Sequence, residues 1–70
     1  GVITMREALL KAVRLHVEGN IAKHHANVEV ILNSSVGVAE HTDMIESVES
    51  EMKKMAEQQD ILELLDNYFS

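Results

Sequence analysis

Four histidines among seventy residues are the side chains best suited to chemistry, because imidazole binds metals and titrates near neutral pH. His24 and His25 are adjacent, so a regular helix points them about 100° apart and they cannot share one ion. His16 and His24 lie near one face but about 12 Å apart along a helix. No glutamate precedes a histidine by three, as in di-iron bundles, and His-Glu-x-x-His is absent. The spacing favours solvated or half-buried histidines, and we expect neither a metal nor a cofactor.

A symmetric assembly offers the histidines one further role. If His16 or His24 met its counterpart across a dimer axis, assembly would depend on pH near the imidazole pKa of about 6.5.

Composition argues against catalysis and against direct nucleic-acid binding. The chain has no cysteine, no Gly-x-Ser-x-Gly and no phosphate-binding glycine motif, so we expect no enzyme. Residues 1–38 carry four basic and three acidic side chains, whereas residues 39–70 carry two basic and nine acidic ones. A net charge of −6 concentrated in the second half repels phosphate backbones and suits a basic protein partner.

The first long element is a helix predicted over about residues 4–33. Thr4 and Glu7 have the spacing of a capping box, in which each side chain pairs with the other residue's backbone N–H. Two apolar stripes then recur at steps of three and four, where an ordinary amphipathic helix has one. The first stripe is mostly small and comprises Met5, Ala8, Ala12, Leu15, Gly19, Ala22 and Ala26. The second is bulkier and comprises Leu10, Val13, Val17, Ile21, Val28 and Ile31.

Gly19 is the one weak position of this helix, since glycine costs about 1 kcal/mol relative to alanine. A continuous helix with close approach of another backbone at Gly19 is favoured, and a kink there is the alternative.

A connection over about residues 34–41 leads to a second helix over about residues 42–69. Asp43 or Thr42 is the expected N-cap. A mobile binding loop is the alternative for the connection. The predicted seam of the second helix has heptad-like spacing, and its methionines could instead line an adaptable groove. That seam comprises Ile45, Val48, Met52, Met55, Gln59, Leu62, Leu65 and Phe69.

These features predict an all-α fold, an antiparallel hairpin of two long helices forming a single domain over residues 1–70. Helix 2 can cover one stripe of helix 1, so the other needs a partner from outside the chain. A second copy, giving a four-helix-bundle homodimer, is the simplest source. We therefore predict that both stripes of helix 1 and the seam of helix 2 form core or dimer interface.

Three segments of the chain resemble small uncharacterised helical proteins of marine T4-like tailed phages. The first segment is 6–10 (REALL), the second joins 21–24 (IAKH) with 27–30 (NVEV), and the third is 36–41 (VGVAEH). The resemblance implies the cytoplasm of an infected bacterium as the setting, and it carries no assigned activity or site residue. A cytoplasmic protein is also expected because charges interrupt every apolar run that could span a membrane or serve as a secretory signal.

The expected function is a non-enzymatic, self-associating helical module for protein–protein interaction, acting as a phage accessory factor. Its partners would be itself and a basic protein, with no nucleic acid and no membrane. Two alternatives stay open: an acidic mimic of nucleic acid that binds a DNA-binding protein, and a metal-binding helical bundle.

Overall fold

The computed structural model describes residues 1–34 and 41–70 and consists, over these ranges, of two helices and no strand. Helix α1 spans Met5–Ser34 and helix α2 spans His41–Tyr68. Arg14, near the start of α1, contacts Asp66, near the end of α2, while His24, further along α1, contacts the earlier residue Glu51 of α2. The two helices are therefore antiparallel. The prediction of two long helices packed on each other is confirmed. Residues 35–40, which make up most of the predicted connection, lie outside the described residues.

Thr4 and Glu7 start α1 almost as the sequence predicts. The backbone N–H of Glu7 donates to Oγ1 of Thr4 over 3.1 Å, which satisfies one of the free donors of the first turn. The return bond differs from a capping box, because the Thr4 hydroxyl, and not its backbone N–H, donates to Oε1 of Glu7. Glu7 also places a negative charge at the positive end of the helix dipole.

Helix α2 begins within one residue of the predicted start at about residue 42, but Asp43 does not lie at the N-cap. The helix begins at His41, so Asp43 lies within its first turn. There the carboxylate still interacts favourably with the helix dipole.

The two helices meet along one seam with heptad spacing, in which contact positions alternate between steps of four and three. Three side chains of this seam are at least nine-tenths buried: Val17, Val28 and Leu65. The remaining seam positions are half-buried. On α1 the seam comprises Leu10, Arg14, Val17, Ile21, His24, Val28 and Ile31, and on α2 it comprises Met44, Val48, Glu51, Met55, Gln58, Leu62 and Leu65.

Four positions of the predicted α2 seam, Ile45, Met52, Gln59 and Phe69, do not belong to the hairpin seam. Their predicted place in an interface between two copies stays a prediction. Ile45 and Met52 are 58 % and 51 % exposed, and Gln59 is exposed as well. The preceding residues Met44, Glu51 and Gln58 occupy the seam. The shift follows from hydrogen bonding, because Glu51 and Gln58 pair with side chains of α1 that apolar periodicity does not reveal. Phe69, beyond the end of α2, is 49 % exposed.

On α1 the bulky stripe, apart from the exposed Val13, supplies five of the seven seam positions, and Arg14 and His24 supply the other two. The stripe of small residues lies on the other side of the helix. All of its members, including Leu15 and Met5, are exposed in the single chain. Their predicted place in an interface between two copies stays a prediction.

Gly19 does not interrupt α1, which is continuous from Met5 to Ser34. A Cβ atom added at Gly19 would meet nothing within 4 Å. Close backbone approach therefore does not occur within the hairpin, because Gly19 belongs to the exposed stripe.

Replacement of Leu65 by alanine tests the seam. We expect Leu65→Ala to lower the free energy of unfolding by about 2–4 kcal/mol, because it leaves a cavity between the helices. Leu32→Ala is the matched control, since Leu32 is a leucine outside both the seam and the exposed apolar surface near the chain termini, and it is 51 % exposed. Urea denaturation at one protein concentration measures both. Equal losses for the two variants would contradict the seam.

Candidate functional site

The most polar part of the hairpin seam is a contact between His24 and Glu51. Nδ1 of His24 donates to Oε2 of Glu51 over 2.5 Å, and the two side chains are only 13 % and 17 % exposed. Both residues occupy heptad positions where an aliphatic side chain would ordinarily pack. A polar pair at such a position needs partners for its remaining polar atoms.

Neighbouring groups supply these partners. Nδ2 of Asn27 donates to the same Oε2 of Glu51 over 3.3 Å, and Nζ of Lys54 lies 3.9 Å from Oε1. The hydrogen bond with His24 is the main cause that lowers the pKa of the Glu51 carboxyl below its ordinary value of 4.5. Asn27 and the charges of Lys54 and His24 lower this pKa further, while burial acts against them. Glu51 is thus held as an ionised acceptor.

A second polar contact joins Asn20 to Gln58, about one turn of α1 away from His24. Nδ2 of Asn20 donates to Oε1 of Gln58 over 3.1 Å, and both side chains are half-buried. We call these five residues the polar cluster: Asn20, His24, Asn27, Glu51 and Gln58. Because each contact joins α1 to α2, the cluster fixes how far one helix is shifted along the other.

A charged contact lies nearer the ends of the chain. Nη2 of Arg14 donates to Oδ1 of Asp66 over 2.6 Å. Both side chains are well exposed, at 39 % and 64 %, so water screens the pair and it adds little stability.

The other histidines do not join the polar cluster. His16 is exposed, and Nε2 of His25 lies 3.5 Å from Oε1 of Glu29 on the surface of α1. The side chain of His41 lies outside the described part of the structure. Across the described residues, no three histidine or carboxylate side chains are placed to hold a metal ion together.

The second notable feature is exposed apolar surface, much of it at the open end of the hairpin, where the chain termini lie. Eight large apolar side chains there are at least 41 % exposed. We call them the open-end patch: Val2, Ile3, Met5, Leu9, Val13, Leu64, Tyr68 and Phe69. A patch of this kind marks an interaction surface more often than a solvated one.

Neither the polar cluster nor the open-end patch was predicted from the sequence. A usable signal was present, because Glu51 and Gln58 are seven residues apart and lie between apolar residues of the same heptad phase. The exposed residue Leu9 falls outside every predicted stripe, so apolar periodicity alone could not find it.

Comparison with protein-family models, with curated proteins and with solved structures gives no significant match to this chain. Within the described ranges, neither helix is long and apolar enough to cross a membrane.

The His24–Glu51 contact predicts strong coupling between two substitutions. His24→Leu or Glu51→Leu alone leaves the other polar group half-buried without its partner and lowers the free energy of unfolding. The double variant His24→Leu/Glu51→Leu removes both groups and regains most of that loss, because an apolar pair suits a heptad seam. The same cycle on His25 and Glu29 is the control and should show little coupling, since both are exposed. Additive losses at His24 and Glu51 would contradict the contact.

The lowered pKa of Glu51 predicts a loss of stability in acid. Because the folded-state pKa lies below 4.5, the stabilisation is fully present above that pH and disappears as the pH falls through the folded-state value. Between about pH 5 and pH 3, the unfolding free energy should fall more for the native sequence than for Glu51→Gln. The exposed Glu49→Gln is the control and should follow the native sequence. If the unfolding free energy of Glu51→Gln falls as much as that of the native sequence, the Glu51 carboxylate is not the cause of the acid sensitivity.

Proposed function

We propose that the chain is a non-enzymatic helical module for protein–protein interaction whose first partner is a second copy of itself. The observation that carries the proposal is the large surface left exposed by a single hairpin. The chain exposes 5417 Å², whereas a compact monomer of 7.8 kDa exposes about 4,400 Å². Its radius of gyration is 16.5 Å, against about 11 Å for a compact domain of this length.

The shape of the hairpin explains the excess. Its extents are 58 × 19 × 11 Å, so it is a single layer one helix thick. Stable domains are built from at least two packed layers, which supports addition of a second layer from another molecule.

The broad face of the layer has the right size for such an interface. It measures 58 × 19 Å, or roughly 1,100 Å², against about 800 Å² per partner in a standard protein–protein interface. The open-end patch covers only about one third of the length of the hairpin, so its area alone would be too small for a standard interface. The proposed assembly is therefore two hairpins stacked over most of their length as a four-helix bundle.

The acidic surface of α2 supports the second part of the proposal, a basic protein as a further partner. Between His41 and Tyr68 the sequence has eight carboxylates and two lysines. Carboxylates at the exposed positions Glu46, Glu49 and Asp60 stay available after two hairpins stack, since they lie away from the seam. A role as an accessory factor in a phage-infected bacterium rests on the sequence resemblance alone.

Light scattering coupled to size-exclusion chromatography tests self-association. We expect a mass of twice 7.8 kDa at micromolar concentration. Leu9→Glu should shift the protein toward monomer, because it places a charge in the open-end patch. Asn67→Glu is the matched control: it adds the same charge near the same end, at an exposed polar position. A compact monomer for the native sequence would overturn the proposal.

A further inference from the structure

One broad face of the hairpin differs from the other in charge. Asn20 and Asn27 lie seven residues apart, so they project from the same side of α1, and both reach across to α2. At 100° per residue, all three carboxylates of α1 lie at least about 140° away from Asn20. Those carboxylates follow the opposite broad face, which also carries the Arg14–Asp66 contact.

We call the first side the Asn face and define it by two rows of residues. Lys54 belongs to the Asn face, because its Nζ lies 3.9 Å from the Glu51 carboxylate that Asn27 also contacts. The α2 row consists of Lys54 and the residues at steps of seven from it. Its single charge is Lys54, and Asp43 and Glu57 border it on the outer side. Among the described residues outside the seam, only Asn20 and Ile61 are half-buried, and both belong to this face. The rows are Val13, Asn20 and Asn27 on α1, and Ser47, Lys54, Ile61 and Tyr68 on α2.

The Asn20–Gln58 pair of this face has unused hydrogen-bonding capacity. Its one bond uses Nδ2 of Asn20 and Oε1 of Gln58. Oδ1 of Asn20 can still accept and Nε2 of Gln58 can still donate, and no group in the described residues pairs with either. A donor and an acceptor side by side are self-complementary under a two-fold rotation.

We propose that a second copy of the chain covers the Asn face about a two-fold axis parallel to the helices. In that arrangement α1 of each copy lies against α2 of the other. Gln58 of each copy then donates to Asn20 of the other, which closes a ring of four amides. This inference rests on the proposed self-association and adds the face, the direction and the residues of contact.

Two further observations select this axis over a two-fold axis perpendicular to the helices, which would stack α1 on α1 and α2 on α2. The described α2 carries a net charge of −6 and α1 of +1, so a parallel axis avoids stacking α2 on α2. It also brings the open ends together, and Leu9, Val13 and Tyr68 of one copy then cover the same residues of the other. In the free hairpin these side chains are 58 %, 41 % and 73 % exposed. The perpendicular axis would place each open end over the far end of its partner.

Disulfide cross-linking between single-cysteine variants tests the arrangement directly, because the natural chain has no cysteine. A disulfide forms only where Cα atoms come within about 7 Å. Mixed and oxidised, Leu9→Cys and Tyr68→Cys should form the mixed disulfide, since these positions meet across a parallel axis. His16→Cys and Asn27→Cys are the matched pair for the perpendicular axis and should form none.

A spin label on Lys11→Cys gives a second measurement, at a position on the opposite face that does not disturb the contact. A parallel axis keeps the two labels at the same end, whereas the perpendicular axis separates them by roughly 32 Å more along the helices. A short distance between the labels supports the inference. A dimer that cross-links through His16 and Asn27, through both pairs or through neither overturns this inference but leaves self-association intact. A monomeric native protein overturns the proposed function as well.

Discussion

A pair of helices can bury only one side of each member, and this constraint governs the whole molecule. The seam of the hairpin shields its aliphatic residues, yet among the described residues only Val17, Val28 and Leu65 are at least nine-tenths buried. Apart from the half-buried Ile61, every large apolar side chain described outside the seam faces water unless another molecule covers it. The large radius of gyration, the exposed stripe of α1 and the open-end patch all follow from this one limit.

The polar cluster gives the hairpin what a purely aliphatic seam lacks. Two heptad seams of similar side chains can slide by one or two turns with little loss of contact. The His24–Glu51 and Asn20–Gln58 contacts form in one register alone, because any shift leaves half-buried polar groups without partners. A fixed register matters for assembly, since it decides which side chains share a broad face. The charge difference between the two faces depends on it.

The start of α1 and its hairpin seam could be predicted from the sequence because both depend on local pattern. Thr4 and Glu7 mark the N-terminus three residues apart, and Leu10, Val17, Ile21, Val28 and Ile31 recur at helical spacing. The register of α2 could not be predicted in this way. Glu51 and Gln58 look like surface residues until His24 and Asn20, 27 and 38 residues away, are placed opposite them. Apolar periodicity accordingly selected Ile45 and Met52 for positions that the polar pairs assign to their neighbours.

The concentration dependence of unfolding tests most directly whether the hairpin depends on a second copy. If burial between copies supplies much of the stability, folding is linked to association by mass action. The urea midpoint should then rise steadily as the protein concentration is raised from about 1 to 100 μM. A sharp transition with the same midpoint at every concentration would show that one hairpin is stable alone, and it would contradict the claim that a second copy completes the fold.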